Sequence, residues 1–177
     1  MSAHLTGSSA RVLVPATSAN LGPGFDSLGL ALDLVDEVGV TVVAEPGARV
    51  VVEGAGAGEV PGGEHHLVVR ALRVALVAGG VTDAPGLELR CTNRVPHGRG
   101  LGSSAAAVVA GVLLGRALAA AATGAALDDD AVLALATSFE GHPDNAAAAL
   151  MGGATIAWQQ PDGPRAVGID VHADVVP

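Results

Sequence analysis

In the run Pro96-His97-Gly98-Arg99-Gly100-Leu101-Gly102-Ser103-Ser104-Ala105-Ala106, three glycines alternate with other residues. Two serines then stand where an apolar, alanine-rich segment begins. A glycine carries no Cβ, so the backbone can turn sharply there and come close to a ligand. The segment after Gly102 predicts a helix over residues 103–122. A helix N-terminus offers unpaired N–H groups and about half a positive charge. A glycine loop feeding such a terminus makes a cradle for phosphate. The hydroxyls of Ser103 and Ser104 can cap the helix, touch the phosphate or ligate Mg²⁺. The loop is not a Walker P-loop, which uses a Lys to reach the terminal phosphates; all nine basic residues here are Arg. Nor is it a dinucleotide fingerprint, because the GxGxxG spacing is absent and no acidic ribose-binding residue follows in a second βαβ unit.

Around this loop the sequence predicts a mixture of strands and helices. Residues 11–14 read as a strand stopped by Pro15, and residues 16–27 as a turn-rich loop holding Asn20, Gly22, Pro23, Gly24 and Asp26. Strands are predicted over 28–35, 37–44 and 49–53, followed by a glycine-rich connection over 55–63. A helix over 65–78 is closed by Gly79-Gly80, and a strand over 86–92 leads into the glycine loop. Asp128 to Asp130 crowd the start of a helix running to Phe139, where negative charge suits the macrodipole. A short helix over 145–150 and strands over 153–160 and 166–171 complete the chain. Helices and strands mix without a strict βαβ rhythm, which predicts an α+β domain occupying residues 1–177.

Composition narrows the function. A chain of 177 residues can bury roughly 70% of its unfolded surface without disulfides or metal. A single cysteine, Cys91, permits no internal disulfide and fits a reducing compartment. The net charge is −9 and aromatic residues make up 2% of the chain. With no basic stripe and little to stack on bases, nucleic acid is not an expected partner. The apolar run over 105–122 is mostly Ala and Gly and carries Arg116. A bilayer span wants about 20 strongly apolar residues, so the run reads as a buried helix of a soluble protein. Residues 1–10 show neither the basic nor the apolar region of a secretory signal. The expected location is therefore the cytoplasm, with no membrane partner.

Two further segments turn the cradle into part of a site. The first is Pro15-Ala-Thr-Ser-Ala-Asn20-Leu-Gly-Pro-Gly-Phe-Asp26-Ser-Leu-Gly-Leu, and the second is Glu140-Gly-His-Pro-Asp144-Asn145-Ala with Gly152-Gly153 following. Together with residues 96–106 they resemble three ordered segments of the GHMP kinases, a family that phosphorylates small molecules; residues 96–106 resemble its second motif and the segment from Pro15 its first. The first and last take the form found in the family's homoserine kinase branch. The resemblance runs over residues 11–176. It implies an α+β N-terminal domain of the ribosomal protein S5 domain 2-like type, using ATP and Mg²⁺ to phosphorylate L-homoserine on the route to threonine. It also implies a homodimer at full length. It implies, further, that these residues are the N-terminal half of a longer protein, whose second domain would carry a third glycine-rich motif and substrate-binding arginines. Other readings are another GHMP small-molecule kinase, such as one of the mevalonate pathway, or a non-catalytic nucleotide-binding fragment.

The resemblance assigns roles to residues that otherwise have ordinary explanations. Residues Pro96, His97, Gly98, Arg99, Gly100, Leu101, Gly102, Ser103, Ser104, Ala105 and Ala106 would hold the nucleotide. Asn20 and Asp26 suit a turn; by resemblance they contact homoserine, where Asp26 can pair with an ammonium group. Glu140 ends an apolar helix, where its charge opposes the macrodipole; by resemblance it ligates Mg²⁺ with Ser104. Asp144 and Asn145 suit an N-cap; by resemblance they lie beside the attacking hydroxyl, and Asn145 also binds substrate. Asp144 either accepts the proton or orients the hydroxyl. His142 reads as structural, since Pro143 and the missing fourth ligand argue against a metal centre. His66 resembles a position lining the adenine pocket.

Overall fold

The structure is a computed structural model and describes residues 5–172 and 174, so the outermost residues of the expected 1–177 domain lie outside it. Its spine is a long antiparallel hairpin, β1 (Ser9–Leu21) and β2 (Gly24–Val43), paired from Ser9↔Thr41 down to Leu21↔Gly24. Here the structure corrects the sequence. Pro15 does not stop the strand, and the two strands expected over 28–44 are one. The expected loop over 16–27 is mostly the paired tip of the hairpin. Pro15 is tolerated because β1 pairs with β2 alone, and an edge strand can lack a ladder N–H. The register shifts between Pro15 and Thr17, a bulge that absorbs the misfit. At the tip, Asn20 and Asp26 adopt left-handed φ of 59° and 53°, which Asn and Asp tolerate better than other side chains. The Asp26 N–H donates to Asn20 Oδ1 at 2.8 Å, fastening the turn.

Four more strands extend the sheet on the other side of β2. Toward its C-terminal end lies β4 (Gly86–Asn93), antiparallel to it, with β3 (Ala48–Gly54) parallel to β4. Toward its start lies β5 (Ala154–Gln160), paired with β6 (Gly163–Ile169). A 3-10 turn at Gly63–His65 and helix α1 (Leu67–Ala78) make the crossover from β3 to β4. That helix starts slightly later than expected because His66, at its N-cap, is extended. Helices α2 (Ser103–Thr123), α3 (Asp129–Glu140) and α4 (Asp144–Met151) complete the chain.

The strands alternate as one-sided sheets do. Val38, Val40 and Val42 of β2 and Leu87, Leu89 and Cys91 of β4 are buried, and so is Val14 of β1. The helices cover that face, with α2 packed on β1 and on α1, and α4 crossing β1, β2 and β5. By length and hydropathy α2 alone among the described helices matches a membrane span. Its residues Val108, Val109, Val112, Leu114 and Leu118 are instead buried in the protein core. Two glycines let it lie close to α1: a Cβ at Gly111 would overlap the Val68 carbonyl, and one at Gly115 would press on Ala75 and the Leu72 carbonyl.

Candidate active site

The glycine loop ends at Gly102, which is the N-cap of α2 with a left-handed φ of 61° and no side chain capping the helix. Ser103 and Ser104 therefore sit in the first turn and do not cap it. The first N–H groups of the helix therefore have no side-chain cap. Two contacts fix the loop from below. The Thr17 N–H donates to the Leu101 carbonyl at 3.1 Å, and Asp36 accepts from the N–H groups of Arg94 at 2.6 Å and Val95 at 2.9 Å. Pro96 to Gly100 project outward from this base and are exposed, Arg99 among them; Ala105 and Ala106 are buried in the first turn.

Beside the loop, between β2, α1 and the start of α2, is a cleft of about 400 Å³. Val38, Pro61, Leu67 and Val68 line it, with His97, Ser103 and Ser104 at the glycine-loop side. His66 also lines it and is buried, its Nδ1 without a hydrogen-bond partner. Burial holds the His66 pKa below the ordinary histidine value, so the ring is neutral at pH 7.

The third segment closes on the loop from the far side. Glu140 is the last residue of α3, and Gly141 in a left-handed turn redirects the chain toward α4. Ser104 Oγ donates to Glu140 Oε1 at 2.6 Å, joining the first turn of α2 to the end of α3. Asp144 is the first residue of α4 and not its cap, a position that falls to Pro143. Its side chain is fully buried. Oδ1 lies 2.6 Å from His142 Nδ1 and accepts the Asn145 N–H at 2.8 Å, while Oδ2 has no partner. Asn145 Oδ1 accepts from Thr17 Oγ1 at 2.8 Å.

His142 records how these parts converge. Its pKa is raised, chiefly by the hydrogen bond to Asp144 and against the opposing effect of burial; the charges of Asp144, Asp26 and Glu140 add to it. The charge of Asp26, at the exposed hairpin tip, is thus felt at the α3–α4 turn. The sequence marks His142 only as structural and assigns no role to Thr17 or Asp36. An acidic residue inside the apolar run of β2 was the one signal available for Asp36. Nothing local marked Thr17, whose partners lie on other elements. Among the described residues no three His, Cys, Asp or Glu side chains cluster as a metal site. Mg²⁺ needs no such cage, since one or two carboxylates and substrate phosphates are its usual ligands. Glu140 and Ser104 beside an open helix terminus fit that donor set.

A sheet backed by helices, with a glycine loop opening α2 onto an apolar cleft, defines the class. The model of the GHMP kinases N terminal domain matches residues 66–153, and this is the family that the chain resembles. Within it the similarity is to homoserine kinases. The chain is 55% identical to the homoserine kinase of Leifsonia xyli, covering 98% of this chain and 53% of that one. It superposes on the crystal structure of homoserine kinase from Cytophaga hutchinsonii with a TM-score of 0.78 and 32% identity, over 94% of this chain and 53% of that one. The Methanococcus jannaschii mevalonate kinase shares the fold, with a TM-score of 0.66 at 16% identity over 93% of this chain and 57% of that one. The chain spans about half the length of the curated relatives it matches.

Proposed function

We propose that this chain supplies the nucleotide site and much of the reaction centre of a cytoplasmic homoserine kinase, which transfers the γ-phosphoryl group of ATP to the side-chain hydroxyl of L-homoserine. The observation that carries the reading is the Ser104–Glu140 contact of 2.6 Å at the open end of α2, with Asp144 and Asn145 one turn of chain away. The adenosine would lie in the apolar cleft against His66, and the phosphates at the N-terminus of α2. Ser104 and Glu140 would hold Mg²⁺, which when bound neutralises charge on the terminal phosphates. Asn20 and Asp26 at the hairpin tip would receive the polar end of homoserine, with Asp26 opposite its ammonium group.

The homoserine oxygen forms a bond to the γ-phosphorus as the bond from that phosphorus to the bridging oxygen breaks, leaving ADP. The hydroxyl proton must leave. Asp144 Oδ2, buried and without a partner, would either accept it or orient the hydroxyl. Such transfers pass through a loose transition state in which positioning and charge neutralisation dominate.

The test joins residues 1–177 to the part of the Leifsonia xyli enzyme that this chain does not cover. ADP release is then followed with L-homoserine, mevalonate or galactose. The reading predicts turnover with L-homoserine alone; turnover of another alcohol without homoserine would overturn it.

A further inference from the structure

Thr17 is a fully buried polar side chain on an edge strand. Strict alternation would place it opposite Ala16, but both are buried. The register shift between Pro15 and Thr17 is the cause: a bulge re-aims the residue that follows it. Thus turned inward, Thr17 touches all three motif segments. It belongs to the first, its N–H donates to Leu101 of the glycine loop, and its hydroxyl donates to Asn145 of the third. It also bounds Gly102, where an added Cβ would overlap its Oγ1.

The contact with Asn145 has a chemical consequence. A carboxamide has an accepting end and a donating end. With Oδ1 engaged by the Thr17 hydroxyl, the NH₂ group is the end left for another partner. Beside a phosphoryl group the difference is one of sign: the NH₂ group attracts an anionic oxygen, and the carbonyl repels it. Most side-chain hydrogen bonds go to backbone or water. This one reaches a side chain 128 positions away.

We infer that Thr17 is a positioning residue that fixes the orientation of the Asn145 carboxamide, so that its NH₂ group faces the reacting hydroxyl or the transferred phosphoryl oxygens. The inference rests on the reading that Asn145 lies at the reaction centre.

Two readouts test it separately. The chain has three asparagines, Asn20, Asn93 and Asn145, so selective labelling gives three resolvable side-chain amide pairs. Thr17→Val, which keeps the shape and loses the hydroxyl, should shift the Asn145 pair and leave the other two in place; Thr17→Ser should leave all three in place. An Asn145 pair indifferent to Thr17→Val would overturn the proposal whatever the kinetics. In the joined enzyme, Thr17→Val should lower kcat by about 10- to 100-fold, the scale of small misplacements of a reacting group, with KM for ATP within about twofold of the parent. Thr17→Ser should recover most of the rate. Thr17→Val combined with Asn145→Ala should be no slower than Asn145→Ala alone. A Thr17→Val enzyme with the parent kcat, or losses that multiply in the double variant, would reject the inference. If the unsubstituted joined enzyme ignores homoserine while the amide pair still responds to Thr17→Val, the substrate reading fails and the tie between Thr17 and Asn145 stands.

Discussion

Gly102 meets two demands at once. Its φ of 61° lies where an L side chain is strained, and the space a Cβ would take is held by the Thr17 hydroxyl. Left-handed backbone costs about 1–2 kcal/mol for a residue with a Cβ, and overpacking about 1–3 kcal/mol. Gly102→Ala should therefore lower stability by about 2–5 kcal/mol in chemical denaturation. Gly168→Ala, where nothing lies within 4 Å, should stay within about 0.5 kcal/mol of the parent. His66 gives a test of sign. Its folded pKa lies below the 6.5 of a free histidine because burial disfavours the charged ring. The unfolded chain then binds more protons as pH falls through 6.5, and stability drops with it. Between pH 7.5 and 5 the melting temperature of the parent should fall further than that of His66→Asn; parallel curves would contradict the buried neutral ring. At this scale the motif residues were legible in the sequence. Ser104, Glu140, Asp144 and Asn145 stand in runs whose glycine and acidic spacing is unusual. Thr17 and His142 were not legible, because what distinguishes them is the partner each meets, and a short polar residue in a loop-like run announces no partner.

Among the elements, the helices are legible in the sequence and the first hairpin is not. Residues 103–122 and 128–139 carry helix-forming residues with clear ends, such as the acidic start of α3. Asp128 does cap that helix, accepting the Ala131 N–H at 2.8 Å. In β1 and β2 the local signals of Pro15, Gly22, Pro23 and Gly24 all indicate turns. Pairing along β2 outweighs them, with a bulge absorbing the proline and left-handed Asn20 and Asp26 absorbing the tip. The α1–α2 contact was likewise invisible locally, since it depends on Gly111 and Gly115 facing Val68, Leu72 and Ala75. Gly115→Val should force the helices apart and cost about 1–3 kcal/mol, or more if neither helix yields, read in the same denaturation assay. In β4, burial and then the nearby charge of Asp36 push the Cys91 thiol up to about 11. A thiol so buried and so protonated should react with a disulfide reagent only at the rate of global unfolding. Fast labelling of the folded protein would show that β4 opens on its own.

For the molecule as a whole, the sheet brings three distant stretches of chain to one place. β1 and β2 deliver the hairpin tip, α2 begins at the glycine loop, and the α3–α4 turn reaches back to both through Glu140 and Asn145. The order of the motifs was plain in the sequence, but their convergence was not, because it depends on β1 running along the free side of β2. We propose that this convergence makes a MgATP site within residues 1–177. The most direct test is a calorimetric titration of MgATP into the chain, alongside Glu140→Gln and a titration of ATP in the presence of a chelator. Saturable binding at one site is expected, weakened by at least tenfold both by Glu140→Gln and by removal of Mg²⁺. Absence of measurable heat or of competition by ADP, or binding indifferent to both Glu140 and Mg²⁺, would contradict it.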